Sequence, residues 1–146
     1  MRHDNHAHRG SRGFTLMELM ITMVLVAVVT VIAIASYTHQ VTKSRRADAK
    51  TALLDLAARE ERYFTSNNTY TNVAANLGYT ALPASIPGGA GAATYSVNVT
   101  AANATSFSAQ ATRAAVQATD ECGDYTIDDR GTQSNLNNTI AIANCW

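Results

Sequence analysis

A long run of apolar side chains begins at residue 14 and dominates the N-terminal quarter of the chain. Residues 14–37 are apolar apart from Glu18 and a few hydroxyl side chains. At about 1.5 Å per residue, a helix over this stretch is about 36 Å long. That length exceeds the hydrocarbon core of a bilayer, which is about 30 Å thick. The pattern therefore predicts a membrane-spanning helix over residues 14–37.

The spacing of apolar positions changes after residue 37. Between residues 38 and 64 they recur every three or four positions, which is the period of one helix face. This stripe consists of Ala49, Leu53, Leu56, Glu60 and Tyr63, with Ala52 and Ala57 beside it. No proline or glycine lies between Phe14 and Phe64. We therefore expect one continuous helix whose amphipathic second half, residues 38–64, packs on a soluble domain.

Residues 65–146 carry the patterns of a loop followed by strands. Residues 66–93 are rich in Asn, Gly, Ala and Pro and predict a loop. Polar and apolar residues alternate over residues 95–99 and 107–111, as in half-buried strands, with residues 103–106 as the connection. A third strand is expected from Tyr125, a turn over 128–131, and a short fourth strand over 132–134. The predicted fold class is α+β, a long N-terminal helix packed on a small antiparallel sheet.

The charges are unevenly distributed, although the formal net charge is zero. Residues 1–13 are net positive and the remainder is net negative. The basic cluster beyond them consists of Lys43, Arg45, Arg46 and Lys50. This balance argues against nucleic acid as a main partner.

Acidic residues gather near the C-terminus without the spacing of a calcium-binding loop. They are Asp120, Glu121, Asp124, Asp128 and Asp129. We predict that they are solvated acids in turns, and that the chain has neither a metal site nor a cofactor.

The chain has two cysteines, Cys122 and Cys145, and no histidine follows His39. A metal site would need more ligands nearby. A disulfide formed in an oxidising compartment is the simpler interpretation. The alternative is two buried thiols that do not meet.

Residues 1–13 are polar and predict a short leader. Their histidines, His3, His6 and His8, fit such a leader better than a metal-binding tract. The apolar run is too long for a secretory signal and no A-x-A site follows it, so the helix is retained. The leader arginines Arg2, Arg9 and Arg12 place the N-terminus in the cytoplasm. The basic residues after the helix weaken this orientation, and an extracytoplasmic disulfide restores it.

The segment GFTLMELM, from Gly13 to Met20, joins a glycine, an apolar run and one carboxylate. Its G-F-T-L-x-E motif resembles the start of type IV prepilins. The stretches KSRRADAKTALLDLAAREERYF and NNTYT and the late CG…CW pair are similar to minor pilins of the PilE type. The resemblance implies the type IV pilin fold and a structural subunit, not an enzyme. The resemblance further implies that this subunit supports pilus assembly, twitching motility or adhesion.

The resemblance also implies how the chain is processed. Prepilin peptidase cleaves between Gly13 and Phe14 and methylates the new amino group of Phe14. The single-pass subunit then waits in the bacterial inner membrane with its N-terminus in the cytoplasm. Inner-membrane assembly machinery transfers it to the extracellular pilus, where its helix contacts other pilin subunits.

Glu18 needs a partner, because a carboxylate in hydrocarbon costs on the order of 3 kcal/mol. Cleavage supplies one, the amine of Phe14, and pairing with Glu18 of a neighbouring subunit would set the register between subunits. The alternative is that Glu18 snorkels to the interface. Ala35 and Ala27 stand where the family often has proline and glycine, so we expect a straighter helix.

Two other functions share parts of this pattern. A type II secretion pseudopilin has the same N-terminal motif, although the late cysteine pair favours a pilin. A DNA-uptake minor pilin would need a basic stripe, yet only Arg113 and Arg130 follow Arg62. No nucleophile and base pair indicates catalysis. The position of the subunit in the filament and its adhesive target stay open.

Overall fold

A computed structural model describes residues 13–87 and 92–146. The leader charges and histidines lie outside the described residues, as do residues 88–91 of the predicted loop. By its internal contacts the chain divides into an N-terminal unit, Met1–Thr38, and a C-terminal unit, His39–Trp146.

One helix, α1, spans Leu16–Asn67. Its sequence contains no glycine or proline, the two residues that most disfavour a helix interior. The continuous helix expected over residues 14–64 is therefore present. It begins at Leu16 rather than Phe14 and ends at Asn67 rather than Phe64.

The C-terminal unit contains a five-stranded antiparallel sheet in the order β1-β2-β3-β4-β5. The strands are β1 Ala84–Pro87, β2 Ala93–Ala102, β3 Phe107–Arg113, β4 Asp124–Asp128 and β5 Gln133–Leu136. Each strand pairs with the next one along the chain. The last four lie where the alternating pattern predicts strands.

Strand β1 corrects the prediction that residues 66–93 form only a loop. Ile86 lies opposite Tyr95, and Ala84 lies opposite Val97. Ile86 is the one buried side chain of β1. Strand β1 lies at the edge of the sheet, which is where proline is tolerated in a strand, and Pro87 is its last residue. A 3₁₀ helix, Ala74–Leu77, also interrupts the predicted loop.

The turn between β4 and β5 has the predicted form. The carboxylate of Asp128 accepts hydrogen bonds from the backbone N–H groups of Arg130, at 3.0 Å, and Thr132, at 2.7 Å. Gly131 has a φ of 71°, which favours glycine.

The hydrophobic core of the C-terminal unit joins one face of α1 to one face of the sheet. From the helix, Ala49, Leu53 and Leu56 are fully buried. From the sheet, the core includes the inward positions of β2, β3 and β4, which are Tyr95, Val97, Val99, Phe107, Ala109, Ala111, Tyr125 and Ile127. Both the helical stripe and the strand alternation are thus confirmed, and the fold class is α+β.

A disulfide between Cys122 and Cys145 joins the turn before β4 to the end of the chain. Their Cα atoms are 5.5 Å apart. The indole of Trp146 packs edge-on against Tyr125, with ring centroids 5.3 Å apart, and donates a hydrogen bond to the carbonyl of Ser134 at 3.0 Å. The C-terminal segment is therefore held on the sheet by the bond predicted from the cysteines.

Candidate functional site in the N-terminal segment and the Asp120 network

The described side chains at the start of α1 present a long apolar surface. Phe14 is 80% exposed, and the large apolar residues that follow as far as Ile34 are each at least half exposed. Glu18 is the one charged residue between Phe14 and Gln40. The helix is apolar and long enough to cross a membrane. Apolar surface of this extent marks a region that lipid or protein covers.

Two threonines within this apolar stretch satisfy their hydroxyl groups inside the helix. Thr22 Oγ1 donates to the carbonyl of Leu19 at 2.9 Å, and Thr30 Oγ1 donates to the carbonyl of Val26 at 2.7 Å. An unsatisfied donor in hydrocarbon costs several kcal/mol. These threonines are therefore compatible with an apolar surrounding.

Thr15 caps the N-terminus of α1. The backbone N–H of Glu18 donates to Thr15 Oγ1 at 3.2 Å. Thr15 precedes the first helical residue, and Glu18 is the third, which is the T-x-x-E spacing of a capping box. The Glu18 carboxylate also lies in the first turn, where the helix dipole favours a negative charge. Sequence reasoning missed Thr15, although the spacing indicates it.

Gly13 and Phe14 lie directly before this cap, so the predicted cleavage bond and Glu18 belong to one short segment. A Cβ placed on Gly13 would meet no atom within 4 Å. The fold therefore does not require glycine at this position. If glycine is required at position 13, the reason lies in an enzyme that must come close to the backbone there.

The second candidate site is a buried carboxylate, Asp120, whose side chain is 1% exposed. Arg46 Nη2 lies 2.6 Å from it. Tyr95 donates its hydroxyl hydrogen at 2.7 Å, Gln117 donates from Nε2 at 3.2 Å, and the backbone N–H of Cys122 donates at 3.0 Å. We call Asp120 and these four donors the Asp120 network. All the donors converge on one charge, so the carboxylate is fully compensated.

The network shifts the acid–base behaviour of its members. Burial raises the pKa of Asp120, but the hydrogen bonds from Arg46, Cys122 and Tyr95 outweigh it, and the net pKa is below the ordinary value. The hydrogen bond to Asp120 raises the pKa of Arg46. Asp120 is thus an anion at neutral pH.

Neighbouring basic residues of α1 also bind the part of the chain that follows β3. Lys50 Nζ donates to the carbonyl of Cys145 at 2.9 Å, and Arg45 Nη1 donates to Gln117 Oε1 at 3.1 Å. Three of the four basic residues in this cluster therefore tie the helix to residues that follow β3.

The prediction of solvated turn acids is wrong for Asp120 and Asp124, which are both buried. Asp124 Oδ1 accepts from Arg113 Nε at 3.2 Å and from the backbone N–H of Arg113 at 2.9 Å. The prediction holds for Asp128 in its turn and for exposed Glu121. Within residues 13–87 and 92–146, no three His, Cys, Asp or Glu side chains form a group that could hold a metal ion.

Glu60 is a fully buried carboxyl on the core-facing side of α1. Its Oε2 accepts a hydrogen bond from the backbone N–H of Thr71 at 3.1 Å, whereas its Oε1 has no partner within the described residues. Burial raises its pKa. Glu60 thus holds the segment that follows α1 in place, although burial disfavours its charged form.

Comparison with known proteins agrees with this geometry. Residues 8–34 match the profile described as the prokaryotic N-terminal methylation motif. This region contains the capped helix start and Glu18. Residues 35–126, more than half of the chain, match the family described as type IV minor pilin ComP, DNA uptake sequence receptor. The chain therefore belongs to this family of type IV minor pilins.

Among solved structures, the chain is similar to a type IV pilin from Shewanella oneidensis. The identity is 25%, the alignment covers 72% of this chain and 97% of that one, and the TM-score is 0.47. No curated protein sequence matches the chain. Family membership identifies a structural subunit rather than an enzyme. It implies processing by prepilin peptidase, membrane anchoring and assembly into a pilus.

Proposed function

We propose that the chain is a minor subunit that enters the pilus through its N-terminal segment. In this proposal prepilin peptidase cuts between Gly13 and Phe14 and methylates Phe14. The N-terminus faces the cytoplasm, and the disulfide of the C-terminal unit forms on the opposite, oxidising side. The observation that carries the proposal is the exposed apolar surface of α1, which contains a single carboxylate.

Glu18 has a specific part in this proposal. The new amine of Phe14 in an incoming subunit pairs with Glu18 of a subunit already in the filament. In low dielectric this pair is favoured over either charge left alone. The capping bond of Thr15 supports this role, because it holds the helix start near Glu18 in a defined conformation.

Replacing Glu18 by alanine should leave processing and membrane insertion intact and lower filament incorporation by about tenfold or more, since an unpaired amine in hydrocarbon costs more than 1.4 kcal/mol. The measurement is mass spectrometry of sheared filaments and of inner membranes. It follows the peptide that begins at Phe14 and is one methyl group heavier. Met17→Ala, on the same turn, is the matched control.

Other results would contradict the proposal. Normal incorporation of Glu18→Ala would end the pairing mechanism. A processed wild-type chain found only in the inner membrane would show that the subunit does not enter the filament, as expected of a non-incorporated primer or a pseudopilin. Retention of residues 1–13 in the filament would mean that the bond after Gly13 is not the cleavage site.

A second candidate function is reception of DNA, which the description of the matching family favours. The charges of this chain give it little electrostatic support. Arg46, Arg59 and Arg113 are paired with carboxylates. Five further basic side chains have no carboxylate partner within the described residues, and they are Lys43, Arg45, Lys50, Arg62 and Arg130.

DNA binding by the full chain should therefore be weak and depend only moderately on salt. We expect a slope of log K against log salt no steeper than about −4.5, because the five cations can neutralise at most five phosphates and each contributes about −0.9. Titration of a labelled duplex at several salt concentrations measures this slope. A steeper slope would reveal a basic surface that these charges do not account for, and absence of binding would remove the second candidate.

A further inference from the structure

A polar groove of about 380 Å³ lies between the last turns of α1 and the 3₁₀ helix Ala74–Leu77. It lies in the C-terminal unit and belongs neither to the exposed apolar surface nor to the Asp120 network. Its size falls in the range of about 300–1,000 Å³ that small-molecule sites occupy. Its walls include Arg59, Arg62, Tyr63, Asn67, Asn76 and Gly78.

The walls are held together by internal hydrogen bonds. Arg59 Nη1 donates to the carbonyl of Leu77 at 3.0 Å, which fixes the loop on the helix. Gly78 has a φ of 75°, and a Cβ there would come within 3.0 Å of Arg59 Nη1. Glycine therefore permits both the left-handed conformation and the close approach.

Buried Glu60 supports the far wall of the groove. It accepts from the backbone N–H of Thr71, and Thr71 Oγ1 in turn accepts from Asn76 Nδ2 at 3.2 Å. Asn76 Nδ2 also donates to the hydroxyl of Tyr63 at 3.3 Å. The groove is thus formed before any ligand arrives, which lowers the entropy that binding costs.

The groove carries positive charge, because its lining contains two arginines and no carboxylate. Arg59 is paired with Asp55 at 2.7 Å outside the lining. Arg62 has no carboxylate partner within the described residues, and its guanidinium makes one hydrogen bond there, from Nε to the carbonyl of Ala58 at 3.3 Å. The remaining donors of Arg62 form a planar fork that suits a carboxylate or a phosphate.

The groove also presents unused acceptors. Asn67 and Asn76 use their Nδ2 atoms as donors. Their Oδ1 atoms accept no hydrogen bond within the described part of the chain. A phosphodiester offers only acceptors and leaves these oxygens unmatched, whereas hydroxyl groups donate to them. The half-buried ring of Tyr63 adds an apolar face.

We propose that this groove binds a sugar acid, with the carboxylate on Arg62 and hydroxyl groups on the two asparagines. The ring of the sugar then lies against Tyr63. This site goes beyond subunit assembly and would let the C-terminal unit hold an acidic polysaccharide. It does not depend on cleavage, on Glu18 or on filament formation.

The test is calorimetric titration of the full chain in detergent micelles with glucuronate, glucose, inorganic phosphate and a DNA duplex. We expect glucuronate to bind at least tenfold more tightly than glucose or phosphate, because only glucuronate matches both the cation and the acceptors. Arg62→Gln should weaken glucuronate binding by about tenfold, and Arg62→Lys should weaken it less. Arg130→Gln, an exposed arginine on the β4–β5 turn, is the matched control.

Three results would overturn the proposal. Equal binding of glucose and glucuronate would remove the role of the carboxylate. An unchanged affinity in Arg62→Gln would place the ligand elsewhere. Tighter binding of the duplex, with loss in Arg62→Gln, would assign the groove to phosphodiesters instead. Since the Arg62 side chain is exposed, its substitution leaves the fold intact, and circular dichroism checks this.

Discussion

Replacing Arg46 by alanine should lower the free energy of unfolding of the C-terminal unit by about 3 kcal/mol, as removal of one partner from a buried ion pair usually does. The change leaves Asp120 buried with a negative charge and without its guanidinium. The loss follows from this uncompensated carboxylate more than from the contact itself. Urea unfolding of the full chain in micelles, followed by the fluorescence of Trp146, measures it.

The effect should depend on pH, because Asp120 titrates differently in the two proteins. In the wild type the pKa of Asp120 is lowered, so its stabilising contribution is present above the unfolded pKa and is lost as the pH falls through the folded one. In Arg46→Ala burial remains and raises that pKa. The difference between the two proteins should therefore shrink from neutral pH toward about pH 3.

Two variants separate this mechanism from simple loss of packing. Adding Asp120→Asn to Arg46→Ala removes the buried charge. The double variant should therefore lose less free energy of unfolding than the two single variants lose together. Arg62→Ala removes an exposed arginine from the same helix and should change stability by less than about 0.5 kcal/mol. A loss in Arg46→Ala that is independent of pH would contradict the electrostatic account.

Replacing Cys145 by serine should cost about 3 kcal/mol, because the disulfide spans 23 positions and restricts the unfolded chain. The same change frees the segment that carries Trp146, so its emission should shift to the red before global unfolding. Cys122→Ser should give the same loss, since either change removes the one bond. Chemical reduction of the Cys122–Cys145 disulfide in the wild type should cause the same loss of stability.

An unchanged midpoint in Cys145→Ser would show that hydrogen bonds alone hold the C-terminal segment. Those bonds run from Lys50 to the carbonyl of Cys145 and from Trp146 to the carbonyl of Ser134. Lys50→Met tests the first of them without touching the disulfide.

Periodicity was sufficient to predict the helix and four of the five strands. Both patterns are spacings between residues that are close in the sequence, so they can be recognised without the structure. They are the helical stripe of Ala49, Leu53 and Leu56 and the alternation of polar and apolar residues in β2. The sequence pattern did not predict strand β1, because this strand is short, lies at the edge of the sheet and has a single buried residue, Ile86. Its pairing with β2 comes from tertiary context rather than from its own pattern.

The candidate sites divide in the same way. The N-terminal motif is local, so the roles of Gly13, Phe14 and Glu18 could be predicted from the sequence, and they stay predictions. The Thr15 cap lies in the same short segment and could have been predicted from its spacing to Glu18. Asp120 was placed wrongly because its partner Arg46 lies 74 positions away. Spacing among the acids alone gives no information about a cation contributed by a distant helix.

The order of the sheet has a consequence for how the C-terminal unit forms and is lost. Every strand neighbour in the sheet is also a neighbour in the chain, so each hairpin closes a short loop and can form early. The Lys50 bond to Cys145, by contrast, joins positions 95 apart. We expect such distant contacts to form after the rate-limiting step and to act mainly on unfolding. The bonds between α1 and the C-terminal segment would then govern the lifetime of the folded unit, not the speed with which it folds.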